Sequence, residues 1–233
     1  MRIKPLNLVM AAAAAAVFAP LLNMPSASAG DLNKEIPAAA SDPANPADTE
    51  VAVLAGGCFW GQQGVFEHVK GVTKVVAGYA GGEKKTAHYM MVSTSTTGHA
   101  ESVQITFDPK EISFGQILRI YFSVAHDPTE VDRQGPDEGS QYRSEIFAAS
   151  PEQEATAKAY IGQLDAAHIF PEPIATKVEP LQGFYAAEGY HQDYLFNNPD
   201  STYIKVNDLP KIRALEQVWP QYFRKRPVLL AEK

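Results

Sequence analysis

Gly56-Gly57-Cys58-Phe59-Trp60-Gly61 holds the only cysteine of the 233-residue chain. An apolar run over residues 51–55 leads into it. A helical pattern over residues 62–69, with Val65, Phe66 and Val69 on one face, leads out. The stretch therefore reads as a strand-to-helix turn with a thiol at the helix start. The unpaired N–H groups and the dipole of that helix favour the thiolate, so a lowered thiol pKa is expected. Glycines on both sides let the backbone turn sharply and a substrate approach. Phe59 and Trp60 stand where polar caps usually open a helix, and they suit the wall of an apolar pocket beside a nucleophile. A lone cysteine is more often a small buried hydrophobe than a nucleophile, so the rest of the chain has to decide.

Strand and helix patterns continue on both sides of this turn. Residues 72–77 read as a second strand, ending in the glycine-rich turn Gly78-Tyr79-Ala80-Gly81-Gly82. Residues 86–99 are polar and poorly periodic, a loop with one helical turn at most. Residues 102–107 alternate, with Val103, Ile105 and Phe107 on one face, and stop at Asp108-Pro109. Residues 113–124 form a helix with the capping-box spacing Ser113 to Gln116. Residues 132–139 read as a polar loop and residues 141–148 as a strand. Ser150-Pro151-Glu152-Gln153 opens a helix running to about residue 167. Residues 177–181 are a possible last strand, residues 190–196 a short aromatic helix, and residues 209–219 a C-terminal helix. This order predicts an α+β fold: a two-layer sandwich, with helices packed on a mixed sheet, ferredoxin-like. No internal repeat is visible.

The ends of the chain read differently. Arg2 and Lys4, an alanine-rich apolar run over residues 8–22 and Ala27-Ser28-Ala29 form a secretory signal pattern over residues 1–29. The run is shorter than the roughly 20 residues a membrane span needs, so no membrane association is expected after cleavage. Residues 30–50 are rich in Ala, Pro, Asp and Ser and read as a flexible linker. Residues 51–220 form one catalytic domain, and residues 221–233 a loose C-terminal tail. Removing Arg2 and Lys4 takes the formal net charge from −7 to −9, which gives no reason to bind nucleic acid or anionic lipid. The expected location is periplasmic or secreted. One cysteine allows no internal disulfide, so the fold rests on its core.

Several side chains outside the turn carry possible chemistry. Glu101 precedes the most regular strand and stands at its mouth. It is either a solvated carboxylate or an acid beside Cys58, desolvated by Phe59 and Trp60 and held protonated. Tyr142 heads the strand of residues 141–148, where its phenol could face the same mouth or simply pack. His99, His126 and His191 each lie within two residues of an acid. No pair has zinc-motif spacing, so no metal site is expected. A Cys-His hydrolase remains open, because the sequence does not choose which histidine would serve the thiol.

Five motifs in register resemble the type A peptide methionine sulfoxide reductases: Gly57-Cys58-Phe59-Trp60, Gly78-Tyr79-Ala80-Gly81-Gly82, Gly98-His99-Ala100-Glu101, His126-Asp127-Pro128-Thr129 and Gln141-Tyr142-Arg143-Ser144. The resemblance covers about residues 51–191. The resemblance implies that Cys58 attacks the sulfoxide sulfur and Glu101 protonates its oxygen. It implies that Tyr89 and Tyr142 hydrogen-bond that oxygen, that Asp137 orders the network, and that Phe59 and Trp60 receive the S-methyl group. The implied substrate is S-methionine sulfoxide, free or in oxidised proteins. No bound cofactor is implied.

Sulfoxide oxygen is a poor leaving group until protonated, so the chemistry needs a thiolate, a proton donor and hydroxyl donors beside an apolar cup. The residues named supply that set. Many relatives carry further cysteines that resolve the resulting sulfenic acid, and this chain has none. An external thiol, thioredoxin-like or of low molecular weight, must then regenerate Cys58. Ser95 also departs from the family, where glycine often stands two residues before the Thr-Gly-His-Ala-Glu run. A Cys-His hydrolase and a non-catalytic module that binds methionine peptides are the alternatives.

Overall fold

A computed structural model describes residues 35–230. The signal pattern of residues 1–29 lies outside them. Strand β1 (Glu50–Gly56) runs into α1 (Phe59–Glu67), and β2 (Val72–Ala80) returns. The short α2 (Tyr89–Val92) precedes β3 (Ala100–Phe107) and α3 (Phe114–Ile120). A two-stranded hairpin, β4 (Arg133–Gln134) and β5 (Asp137–Glu138), leads to β6 (Ser144–Ala148) and α4 (Pro151–Ala166). Then come β7 (Lys177–Pro180), β8 (Phe184–Ala186), α5 (Tyr194–Asn197) and α6 (Leu209–Val218).

The large sheet has the order β7-β6-β1-β3-β2-β8. Its pairs are antiparallel except β6 with β7, which makes it mixed. Successive residues of a strand face opposite sides of the sheet, and at β1 both sides are covered. Ala52 and Leu54 of β1 join the main core, which α1, α3, α4 and α6 close with Val65, Phe66, Ile117, Tyr160 and Leu215. Val53 and Ala55 point to the opposite face and meet Ala80, Ala100 and Phe147 in a smaller cluster. The helices thus form one layer on one face of the sheet, an α+β architecture.

Some elements differ from the sequence reading. Helix α1 begins at Phe59, not residue 62, because the apolar pair at its start is itself buried or half-buried. Strand β2 runs through Gly78-Tyr79-Ala80, which pair with β3 and β8 instead of forming a turn. Residues 140–142 form a 3-10 turn, so Tyr142 precedes β6 and does not lie on it. Ser113 and Gln116 do form the capping box, but α3 passes into a π-helical turn, Tyr121–Ala125. At α4 the Ser150 side chain accepts from Gln153 N, while Gln153 Oε1 accepts from Ala149 N.

The flexible-linker reading of residues 30–50 is corrected where the chain is described. Ile36 is buried in the main core, the Pro37 carbonyl accepts from Tyr160 Oη, and Asp42 accepts from Gly115 N at the start of α3. One large apolar residue and one well-placed carboxylate suffice to dock a segment of unpromising composition. The loose-tail reading of residues 221–233 is corrected in the same way as far as Leu230. Arg224 N donates to His68 O, Val228 N to Glu67 O, and Leu230 N to the Asp193 carboxylate.

Candidate active site

Strand register creates the site. Leu54 of β1 lies opposite Val103 of antiparallel β3, so the end of β1 passes the start of β3. Cys58 follows the one and Glu101 begins the other. Gly57 turns the chain from β1 into Cys58 and α1 at φ +88°, and a β-carbon there would fall 2.5 Å from Gln134 Cγ. Conformation and close packing both require glycine. The buried Gln62 pins the turn, its Nε2 donating to Gly56 O at 2.7 Å and to Ala125 O at 3.1 Å.

Cys58 is the N-cap of α1 and is 8 % exposed. Contrary to the expectation from the helix terminus, its pKa is pushed well above the ordinary thiol value. Burial is the main cause, followed by Glu101 and Asp208, with Asp137 adding to it; the Trp60 backbone N–H pulls the other way. Desolvation and neighbouring acids outweigh the helix end, so the resting residue is a thiol.

Glu101 meets the expectation of a neutral acid. It is buried, its Oε2 accepts from Phe59 N at 3.1 Å, and desolvation pushes it up to about 8. The Phe59 hydrogen bond lowers that value and Asp137 raises it. At neutral pH the group carries its proton, one residue away from the sulfur.

The other predicted side chains gather at the same place. Tyr89 and Tyr142 are half-buried, and both phenols are raised by burial and then by the charges of Glu101, Cys58 and Asp137. Asp137 is raised by burial, held back by its hydrogen bond from Tyr203 Oη and by Lys211. Phe59 is 1 % exposed and packs against Tyr79 and His191. Trp60 presents the more accessible apolar surface. It stacks on Tyr194 at 3.7 Å and 9°, meets Tyr203 edge-on, and donates from Nε1 to His191 Nδ1 at 3.1 Å.

Tyr203, Tyr194 and Asp208 escaped the sequence reading. The aromatic run of residues 190–196 was a signal for Tyr194. Tyr203 and Asp208 arrive through the π-helical turn Ile204–Asp208, which no periodicity announces. Of the three histidines kept open for a hydrolase, His99 and His126 are engaged elsewhere. His99 Nε2 lies 3.1 Å from Glu83 O, and His126 contacts Tyr121 O and Ser144 Oγ, with burial lowering it to about 3. His191 stays in the site, packed on Phe59 and Tyr89, with its Nδ1 accepting a hydrogen bond from Trp60 Nε1. Among the described residues, no group of three His, Cys, Asp or Glu could hold a metal ion.

A buried thiol at a helix start, a protonated carboxylic acid and a ring of phenols define a cysteine-based redox site on an α+β scaffold. The profile of the peptide methionine sulfoxide reductase family matches residues 50–223, and the chain belongs to that family. A peptide methionine sulfoxide reductase MsrA 2 of Mesorhizobium japonicum is 55% identical over 182 residues, covering 78% of this chain and 93% of that protein. One of Synechocystis, of the same name, is 53% identical over 169 residues, covering 72% and 79%. Among solved structures, reduced Mxr1 of Saccharomyces cerevisiae superposes with a TM-score of 0.60 at 33% identity, covering 70% of this chain and 92% of the other. Methionine sulfoxide reductase A of Corynebacterium diphtheriae gives 0.58 at 34% identity, covering 67% and 78%. The chain is thus an enzyme that reduces methionine sulfoxide.

Proposed function

We propose that the enzyme reduces the S epimer of methionine sulfoxide, free or in oxidised proteins, through Cys58 and Glu101. The observation that carries this reading is the pairing of a buried thiol with a carboxylic acid held neutral by desolvation, joined through the Phe59 amide. The sulfoxide sulfur meets Cys58 while its oxygen faces Glu101 and the phenols of Tyr89 and Tyr142. Protonation by Glu101 weakens the S–O bond and makes oxygen transfer possible. The Cys58 proton is given up as that charge develops. The Cys58 sulfur bonds, loses two electrons and ends as a sulfenic acid carrying the oxygen; the thioether leaves reduced as methionine. Asp137 and Tyr203 order the network, and Trp60, backed by Phe59, holds the S-methyl group.

Regeneration uses two equivalents of an external thiol, thioredoxin-like or of low molecular weight. The first condenses with the sulfenic acid, releasing water and forming a mixed disulfide; the second frees Cys58. The absence of any second cysteine in the 233 residues supports this route. The basic start, apolar run and small-residue site of residues 1–29 support export to the periplasm or medium. The test is epimer-resolved turnover with dithiothreitol. S-methionine sulfoxide is expected to be consumed, R-methionine sulfoxide not, and Cys58→Ser to abolish turnover. Turnover of the R epimer alone, or of neither, refutes the proposal.

A further inference from the structure

Asp208 has an ordinary role within reach and does not take it. It stands at the N-cap of α6, before Leu209-Pro210, where an aspartate commonly caps its own helix. It makes no capping bond. The π-helical turn Ile204–Asp208 instead delivers its carboxyl toward α1. The residue is fully buried, its Oδ1 lies 3.4 Å from Nζ of the buried Lys211, and its Oδ2 has no hydrogen-bond partner.

Gly61, the third residue of α1, leaves the space this pair occupies. A β-carbon there would fall 2.1 Å from Asp208 Oδ1 and 3.0 Å from Lys211 Nζ. The first turn of α1 has no acidic residue of its own. The negative charge at this helix end, the one capped by Cys58, therefore comes from another element.

We propose that Asp208 is a positioning residue for Cys58: lodged against Gly61 by Lys211, its carboxylate offsets the positive end of α1 and holds the thiol protonated until substrate binds. The groups facing the sulfur are Glu101 from β3, Asp137 from β5, and the phenols of Tyr89, Tyr142 and Tyr203. Glu101 is the largest of these influences on the sulfur, and Asp208 and Asp137 add to it. Burial raises Asp208, and Lys211 Nζ, 3.4 Å from its Oδ1, pulls it back toward the carboxylate. The device suits a lone thiol with no resolving cysteine in its chain, because thiolates are oxidised faster than thiols.

The inference rests on Cys58 being the nucleophile, but its test needs no turnover, so the two can fail separately. Iodoacetamide alkylation is followed against pH in the wild-type chain, in Asp208→Asn and in the double variant Asp208→Leu, Lys211→Met. Cys58 is the sole cysteine, so the rate reports this thiol alone. Asp208→Asn is expected to shift the profile to lower pH by about one unit, roughly tenfold more thiolate at a fixed pH below the midpoint, and the double variant, which also loses the Lys211 charge, to shift it the same way by less. An unmoved profile, or a move to higher pH, overturns the proposal. Replacing a buried ion pair with apolar groups of similar volume is often neutral or stabilising. The double variant therefore keeps the test decisive if Asp208→Asn does not fold.

Discussion

The proposed mechanism divides the chemistry between Glu101, an acid that keeps its proton, and Cys58, a sulfur that must lose one. Because burial lifts Glu101 to about 8, the proton donor is present below that pH and lost above it. We expect kcat/KM to fall on the alkaline side as Glu101 ionises. Glu101→Gln should lower kcat by about 10²–10⁴ with little change in KM, and should erase that alkaline limb. Steady-state kinetics across pH with the S epimer checks this; an unaltered alkaline limb in the variant assigns the acid elsewhere. Both residues were legible in the sequence, one in a Gly-Gly-Cys turn and one at the mouth of an alternating strand. The direction of the thiol pKa was not. A helix start argues for thiolate, and only the packed site shows burial and the acids outweighing it.

Elements with strong local patterns were legible and those fixed by distant partners were not. The capping box of α3 and the alternation of β3 emerge as read. The segments before β1 and after α6 lack periodicity, and they dock through isolated contacts such as Ile36 and the Leu230 amide. A buried pair of acids helps hold the second of these. Glu67, at the end of α1, is pushed up to about 9 by burial and by its hydrogen bond to Asp193, and its carbonyl accepts from Val228 N. A carboxyl raised on folding contributes stability that is complete below its unfolded value near 4.5 and disappears as pH rises through its folded value. The melting temperature should therefore decline from mildly acidic pH and, as far as Glu67 is concerned, level off above about 9. Glu67→Gln should make that decline shallower across about pH 4.5 to 9, whatever its absolute stability, leaving the contribution of Glu101, which ends near 8. Thermal melts in a pH series measure both slopes, and parallel curves for the two proteins contradict this account.

Across the whole molecule, antiparallel register brings residues 58 and 101 together, the β4–β5 hairpin adds Asp137, and the stretch after α5 closes the aromatic wall. Composition and motif order foretold the α+β layers and named Cys58, Glu101, Asp137 and the two tyrosines proposed for the site. They could not foretell Tyr203 and Asp208, whose reach depends on an inserted π turn. One chain with one thiol must also stop, if no reductant is present, after a single oxygen transfer. The most direct measurement is therefore a thiol-free single turnover of reduced enzyme with each epimer, trapped with dimedone and read by mass spectrometry. The S epimer is predicted to yield one methionine per chain and one dimedone adduct, on Cys58, while the R epimer yields neither. Methionine formed without a Cys58 adduct, or an adduct raised by the R epimer alone, contradicts the account.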